Sequence, residues 1–228
     1  MNSCIKAVIL DFDGTITVKK GNLWQKIWAR LGYDTGEGSY YRELLDDFKS
    51  KKLSHEKWCV LCCNAYKEKG FSLDIFNELI DEISLMKGLK EFFSALTDSG
   101  IEIHIVSGNI VYAINRSLGD NLKYVKEVRA NNIVFDESGK IVEIVGTKYD
   151  HEGKAKYIEE LCQKQNLQPE NIIFVGNSTN DEWAYKSGAK TVCINPDMAD
   201  ISNTEKWNTI IYTDNLVDLL EIVNNQNK

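Results

Sequence analysis

Ile5-Lys6-Ala7-Val8-Ile9-Leu10-Asp11-Phe12-Asp13-Gly14-Thr15 is the stretch whose reading decides the fold. Apart from Lys6, the run 5–10 is apolar without alternation, which predicts a strand covered on both faces, as in a parallel sheet. It stops abruptly at two carboxylates on a Gly-containing turn. Beyond the turn the rhythm becomes helical, from Asn22 to about Lys87. Trp24, Ile27, Trp28 and Leu31 fall at i, i+3, i+4 and i+7 behind a candidate N-cap, Asn22. Similar stripes follow Ser54 (Trp58, Leu61, Cys62, Ala65) and Ser72 (Leu73, Phe76, Leu79, Ile80, Ile83).

After Gly88, strands and helices alternate. A helix closes at Gly100, a strand follows at 101–106, and a helix begins near Ile110. A hairpin with arms 133–135 and 141–145 turns around Asp136-Glu137-Ser138-Gly139. A helix at 153–165, a strand at 172–175, a helix at 181–186, strands at 191–194 and 210–212 and a helix at 216–223 complete the chain. This predicts an α/β fold, a Rossmann-like, doubly wound and mostly parallel sheet formed by residues 1–16 and 88–228. The all-helical block, 17–87, is inserted after the first strand.

Composition narrows the class. The chain has 228 residues, with 27 Lys and Arg against 34 Asp and Glu, a net charge of −7, and 43% hydrophobic residues. A chain of this length buries roughly 70% of its unfolded surface and needs no disulfide framework. Its apolar runs, such as 7–10 and 59–63, fall far short of the roughly 18 residues of a membrane span. The acidic balance argues against wrapping a nucleic acid backbone. The six cysteines, in a chain whose first residues leave no room for a signal peptide, read as reduced thiols, so the expectation is a cytoplasmic protein. Cys59, Cys62 and Cys63 share an apolar helical face with Trp58 and Leu61, which reads as packing rather than a zinc or redox site. His104 reads as a packed strand residue, and His151 lies close enough to Lys154 to line a site there.

Ligands of open α/β sheets sit beyond the carboxyl ends of the strands. Three groups of residues occupy such positions: Asp11, Asp13 and Thr15; Ser107, Gly108 and Asn109; and Gly176-Asn177-Ser178-Thr179-Asn180-Asp181. Lys154 opens the helix before the third strand, and Lys148 and Lys156 are alternatives for its role. Carboxylates beside amide oxygens suit Mg²⁺, while a lysine, a hydroxyl and helix-start N–H groups suit a phosphate. The set therefore points to phosphoryl transfer.

These residues, in this order, resemble the four motifs of the haloacid dehalogenase superfamily, and the inserted helices are similar to its C1 cap. Val106-Ser107-Gly108, Ala130-Asn131-Asn132, Gly139-Lys140 and Gly153-Lys154 resemble the phosphoserine-phosphatase-like branch. The resemblance implies a Mg²⁺-dependent phosphatase acting on a small phosphorylated metabolite. Asp11 would be the nucleophile and Asp13 the acid/base. Thr15, Ser107, Gly108 and Lys154 would hold the phosphate, and Asp11, Asp13, Asn177 and Asp181 the metal. A catalytically weak binding module and a phosphotransferase are the alternatives.

Two departures from the family pattern matter. Asn177 stands where the family usually has Asp, and Lys19 and Lys20 stand where phosphoserine-specific members carry an acidic residue. Lys20 therefore suits a substrate with a second anionic group. The cap aromatics Trp24, Trp28, Tyr40, Tyr41 and Trp58 suit helix packing, a cage for a choline phosphate, or stacking against a sugar or nucleotide phosphate.

Overall fold

The computed structural model describes residues 4–18, 22–198 and 201–225. β1 (Ala7–Leu10) is wholly buried, as its unbroken apolarity requires. Four helices follow: α1 (Leu23–Arg30), α2 (Tyr40–Lys49), α3 (His55–Glu68) and α4 (Leu73–Asp81). Each starts at a side-chain N-cap, from Asn22, Ser39, Ser54 and Ser72 respectively. Such caps contribute about 1 kcal/mol each.

The chain then alternates through α5 (Leu89–Asp98), β2 (Glu102–Ile110), α6 (Val111–Leu118), β3 (Val125–Phe135), β4 (Ile141–Val145), α7 (Glu152–Gln165), β5 (Ile172–Gly176), β6 (Lys190–Ile194), β7 (Thr209–Ile211) and α8 (Leu219–Asn225). The seven strands form one sheet in the order β4-β3-β2-β1-β5-β6-β7, parallel except for the β3–β4 pair. β1 lies between β2 and β5, with Leu10 opposite Ile105 and Val175, so three strand ends meet at one edge. One face packs Phe92, Phe93 and Leu96 of α5 and Leu219 and Val223 of α8 against β1 and β2. The other packs Tyr157, Ile158 and Leu161 of α7 against Ile9 and Phe174. The inserted helices have a core of their own around Trp28, Tyr66, Phe71 and Phe76, and it takes in Ile141 and Ile144 of β4.

The structure refines several expectations. The segment Asp181–Ser187 is a 3-10 helix rather than an α-helix, and Leu216–Asp218 is a 3-10 turn leading into α8. The expected turn at Ser107 to Asn109 lies within β2, which runs on to Ile110 with a register shift against β3. The first arm of the hairpin is the second half of a long strand, β3, whose first half pairs with β2. Cys59, Cys62 and Cys63 are buried free thiols, and His104 is 1% exposed, both as expected from packing. Among the described residues no helix is long and apolar enough to cross a membrane.

Candidate active site

Asp11 directly follows β1, and its N–H donates to the Val175 carbonyl of β5 at 2.9 Å. The next turn closes tightly, the Phe12 carbonyl accepting from Thr15, Ile16 and Thr17 at 3.3, 3.0 and 3.1 Å. Gly14 has φ 72°, and a Cβ there would lie 2.4 Å from Asn177 Nδ2. Glycine thus permits both the left-handed turn and the close approach of the β1 and β5 loops.

A cavity of about 460 Å³ opens above these strand ends. Asp11, Asp13, Gly14, Ser107, Gly108, Asn109 and Asn177 form its floor, and Trp24, Tyr41, Phe48, His55 and Trp58 of the inserted helices its roof. Asp150 and His151 close one side. Asn109 Nδ2 donates to Asp13 Oδ2 at 2.9 Å and thereby fixes that carboxylate. Burial pushes the Asp13 carboxyl up to about 6, against the opposing effects of the Asn109 hydrogen bond and the Lys154 charge. Burial likewise pushes Asp11 up to about 7, although Lys154 opposes it.

Lys154 is fully buried beneath the floor, with Nζ 3.2 Å from Asp11 Oδ1 and ion-paired to Asp181. Burial alone would lower its pKa, but Asp11, Asp181 and Asp150 outweigh that and hold it above its ordinary value. Lys148 instead pairs with Glu160 at the surface, and Lys154, expected to hold the phosphate, is 0% exposed, lies outside the cavity lining and reaches Asp11 and Asp181 instead.

One expected site residue lies off the cavity and another beneath its floor. Thr15 is 0% exposed and does not line the cavity, because the turn that uses its N–H carries its side chain into the interior. Asp181, expected to ligate metal directly or through bound water, lies wholly buried beside Lys154 with both carboxylate oxygens engaged. Oδ1 pairs with Lys154, and Oδ2 accepts from the N–H groups of Asn177 and Ser178 at 2.8 and 3.0 Å. It holds the β5 loop and the lysine in place. Lys20 lies outside the described residues.

The remaining donors fit a hard divalent cation. Asp11 Oδ1 is buried and makes no hydrogen bond beyond its ion pair with Lys154, and Asn177 lines the same floor. Among the described residues, no three His, Cys, Asp or Glu side chains gather as a metal cluster. The Asp11 carboxylate and the Asn177 amide oxygen are both of the hard-oxygen kind that Mg²⁺ accepts when water and phosphate complete its shell.

Sequence reading missed several contributors. Asp150 lies one helical turn before Lys154, a spacing that could have signalled it. Its carboxylate accepts from Asn180 Nδ2 at 2.8 Å and from the His151 N–H at 2.9 Å. Burial would raise its pKa, but Lys154, His151 and His55 hold it below the usual value. Asn131, 0% exposed, accepts from the Thr147 N–H at 2.8 Å, contacts His55 Nε2 at 2.8 Å and donates to the Gly108 carbonyl at 2.8 Å. Trp24 Nε1 donates to the same carbonyl at 3.1 Å. No spacing in the sequence announces this tie between roof and floor.

Residues 5–188 match a model of the haloacid dehalogenase-like hydrolases. A phosphoserine phosphatase of Archaeoglobus fulgidus is 27% identical over 164 residues, covering 68% of this chain and 44% of that protein. The match thus spans less than half the length of that relative. A phosphoserine phosphatase of Idiomarina loihiensis is 26% identical, covering 72% of this chain and 69% of its own. An apo phosphoserine phosphatase superposes with a TM-score of 0.74 at 17% identity, covering 95% of this chain and 98% of its own. A phosphoserine phosphatase described as a phospho-aspartyl intermediate analogue gives 0.71 at 18%, covering 96% and 99%. These two likenesses are of fold.

Proposed function

This chain belongs to the haloacid dehalogenase-like hydrolases, and on that premise we propose that it is a Mg²⁺-dependent phosphatase of a small phosphomonoester, working through an aspartyl phosphate. The observation that carries the reading is the meeting of Asp11, Asp13, Ser107 and Asn177 on one cavity floor, above the buried Lys154. The relatives named phosphoserine phosphatases support a phosphomonoester as the substrate class.

Asp11 attacks phosphorus through a carboxylate oxygen, and the bond from phosphorus to the ester oxygen breaks. Asp13, oriented by Asn109, gives its proton to the departing alkoxide. Water then attacks the aspartyl phosphate, Asp13 takes the water's proton, and inorganic phosphate leaves with Asp11 restored. Ser107 and the Gly108 main chain hold phosphoryl oxygens at the floor. Lys154 keeps Asp11 oriented and places positive charge behind it. Asp11, the Asp13 carbonyl and Asn177 would hold Mg²⁺, whose charge offsets the repulsion between a carboxylate and a phosphate dianion. The inserted helices act as a cap that keeps bulk water from the first step. The free thiols suit a reducing compartment, which supports a cytoplasmic location as part of this reading.

The test is release of phosphate from p-nitrophenyl phosphate with Mg²⁺ and with EDTA, beside the Asp11→Asn variant. Metal-dependent release lost in the variant is expected. Release that survives in Asp11→Asn refutes the nucleophile, and binding of Mg²⁺ and phosphate without any turnover marks a binding module instead.

A further inference from the structure

Trp58 is the centre of a patch of rings on the roof of the cavity. It meets Trp24 edge-on at 6.1 Å, Tyr41 at 6.2 Å and Phe48 nearly parallel at 5.5 Å between centroids. All four residues line the cavity, and Phe48 is the most exposed of them, with Trp58 and Tyr41 only 3% and 2% exposed behind it. Phe48 also reaches the core side, its ring 5.2 Å from that of His151. The bond from Trp24 Nε1 to the Gly108 carbonyl fixes the indole beside the strand end that carries Ser107. The aromatic wall therefore begins next to the phosphate end of the cavity.

Aromatic surfaces recognise methylated ammonium ions or flat rings. An ammonium cage needs ring faces held apart around the cation, which sits within about 6 Å of each centroid. Here the rings touch one another at ordinary aromatic-pair spacing, which leaves no room for a trimethylammonium between them. Besides Asp11 and Asp13 of the floor, Asp150 is the cavity-lining carboxylate that could meet an ammonium. It is engaged by Asn180 and His151 and faces Lys154. The ammonium of an amino acid leaving group would therefore lose its hydration against the rings without a free carboxylate to pair with, whatever Lys49 of the cavity lining offers its carboxylate. A flat ring stacks on such a wall at no comparable cost.

We propose that the cap selects phosphomonoesters whose leaving group carries a planar aromatic or heteroaromatic ring close to the ester oxygen. The inference rests on the phosphatase reading for where the phosphate lies. It is tested first by binding, with phosphonates that cannot be hydrolysed. In calorimetry of the full chain with Mg²⁺, benzylphosphonate is expected to bind at least about tenfold more tightly than cyclohexylmethylphosphonate or ethylphosphonate. Phe48→Leu and Trp58→Leu should bring the benzyl-to-ethyl ratio towards one. Phe48 is only partly buried, so its variant keeps the fold, as circular dichroism checks.

Turnover follows with benzyl phosphate, cyclohexylmethyl phosphate, choline phosphate and phosphoserine. All release primary alkoxides, so differences in kcat/KM report the cap rather than the strength of the broken bond. Equal binding of the phosphonates, or binding of none, overturns the inference, as does a preference for choline phosphate or phosphoserine. Turnover of these with no benzyl preference leaves the phosphatase standing. A benzyl preference in binding with no turnover sustains the ring-selective wall and removes the phosphatase reading.

Discussion

The floor and the roof of the cavity are built by different rules. Each floor residue follows a strand or, from Ser107 to Asn109, lies in the last turn-like stretch of one, and the sheet register fixes where it emerges: Leu10 lies opposite Ile105 and Val175, so Asp11, Ser107 and Asn177 arrive together. The roof comes from helix faces, where the same apolar period serves a packed interior and a cavity wall alike. Trp28 is 0% exposed, ringed by Tyr33, Tyr40, Tyr41 and Tyr66, whereas Trp24, one turn earlier, lines the cavity. Strand ends announce chemistry in a sequence; helix stripes announce only burial.

The sharpest way to break this contrast is to change each surface in turn. Asp11→Asn should lower kcat by about 10⁴-fold or more on every substrate, because it removes the attacking group itself. Trp58→Leu should instead re-rank substrates. If Asp11→Asn spared some substrates, or Trp58→Leu silenced all of them in a folded protein, the division between chemical floor and selective roof would fail.

Lys154→Ala tests what lies beneath the floor. Removing one partner from a fully buried ion pair costs about 3–5 kcal/mol, a large share of the stability of an ordinary domain. The loss should depend on pH. Burial raises Asp11 from 3.8 to about 7, so between those values the folded state binds more protons than the unfolded one, and stability falls as pH rises. Without Lys154, the charge that opposes the shift is gone and the interval widens. In EDTA, the Tm deficit of the variant should therefore be greater at pH 8 than at pH 5; a deficit that does not change with pH would place the lysine's effect outside Asp11.

The same division explains how much the sequence disclosed. The alternation of strands and helices, the helical block and the caps at Asn22, Ser54 and Ser72 were legible because runs, stripes and capping residues are local. So was the convergence of Asp11, Asp13, Ser107 and Asn177. The inward turn of Thr15 was not, because it depends on which N–H groups the Phe12 carbonyl collects. Nor was the role of Asp181, whose spacing after Asn177 looks equally suited to a metal or to capping the β5 loop. Asn131 escaped notice as a tie because its three partners come from α3, β2 and the loop after β4.

Asn177→Asp probes the floor more gently. A second carboxylate beside Asp11 adds a unit charge to a hard-cation donor set, and about tenfold tighter Mg²⁺ binding is expected. The Mg²⁺ concentration for half-maximal activity reads it directly. An unchanged or higher half-maximal Mg²⁺ concentration would mean that the Asn177 amide is not a ligand and serves only to seat the Gly14 turn.

Trp24→Phe has the smallest expected effect and addresses the direct bond from the roof to the Gly108 carbonyl. Phenylalanine keeps an aromatic face on the wall but cannot donate to the Gly108 carbonyl. That carbonyl retains the Asn131 Nδ2 donor at 2.8 Å, so no buried acceptor is orphaned and the loss is that of a single neutral hydrogen bond, about 1 kcal/mol. If the bond holds the roof against Gly108 during catalysis, kcat/KM should fall about fivefold on all substrates, with their ranking preserved. A changed ranking at unchanged rate on ethyl phosphate would instead assign Trp24 wholly to the wall, and the tie between the two surfaces would then rest on Asn131 and His55 alone.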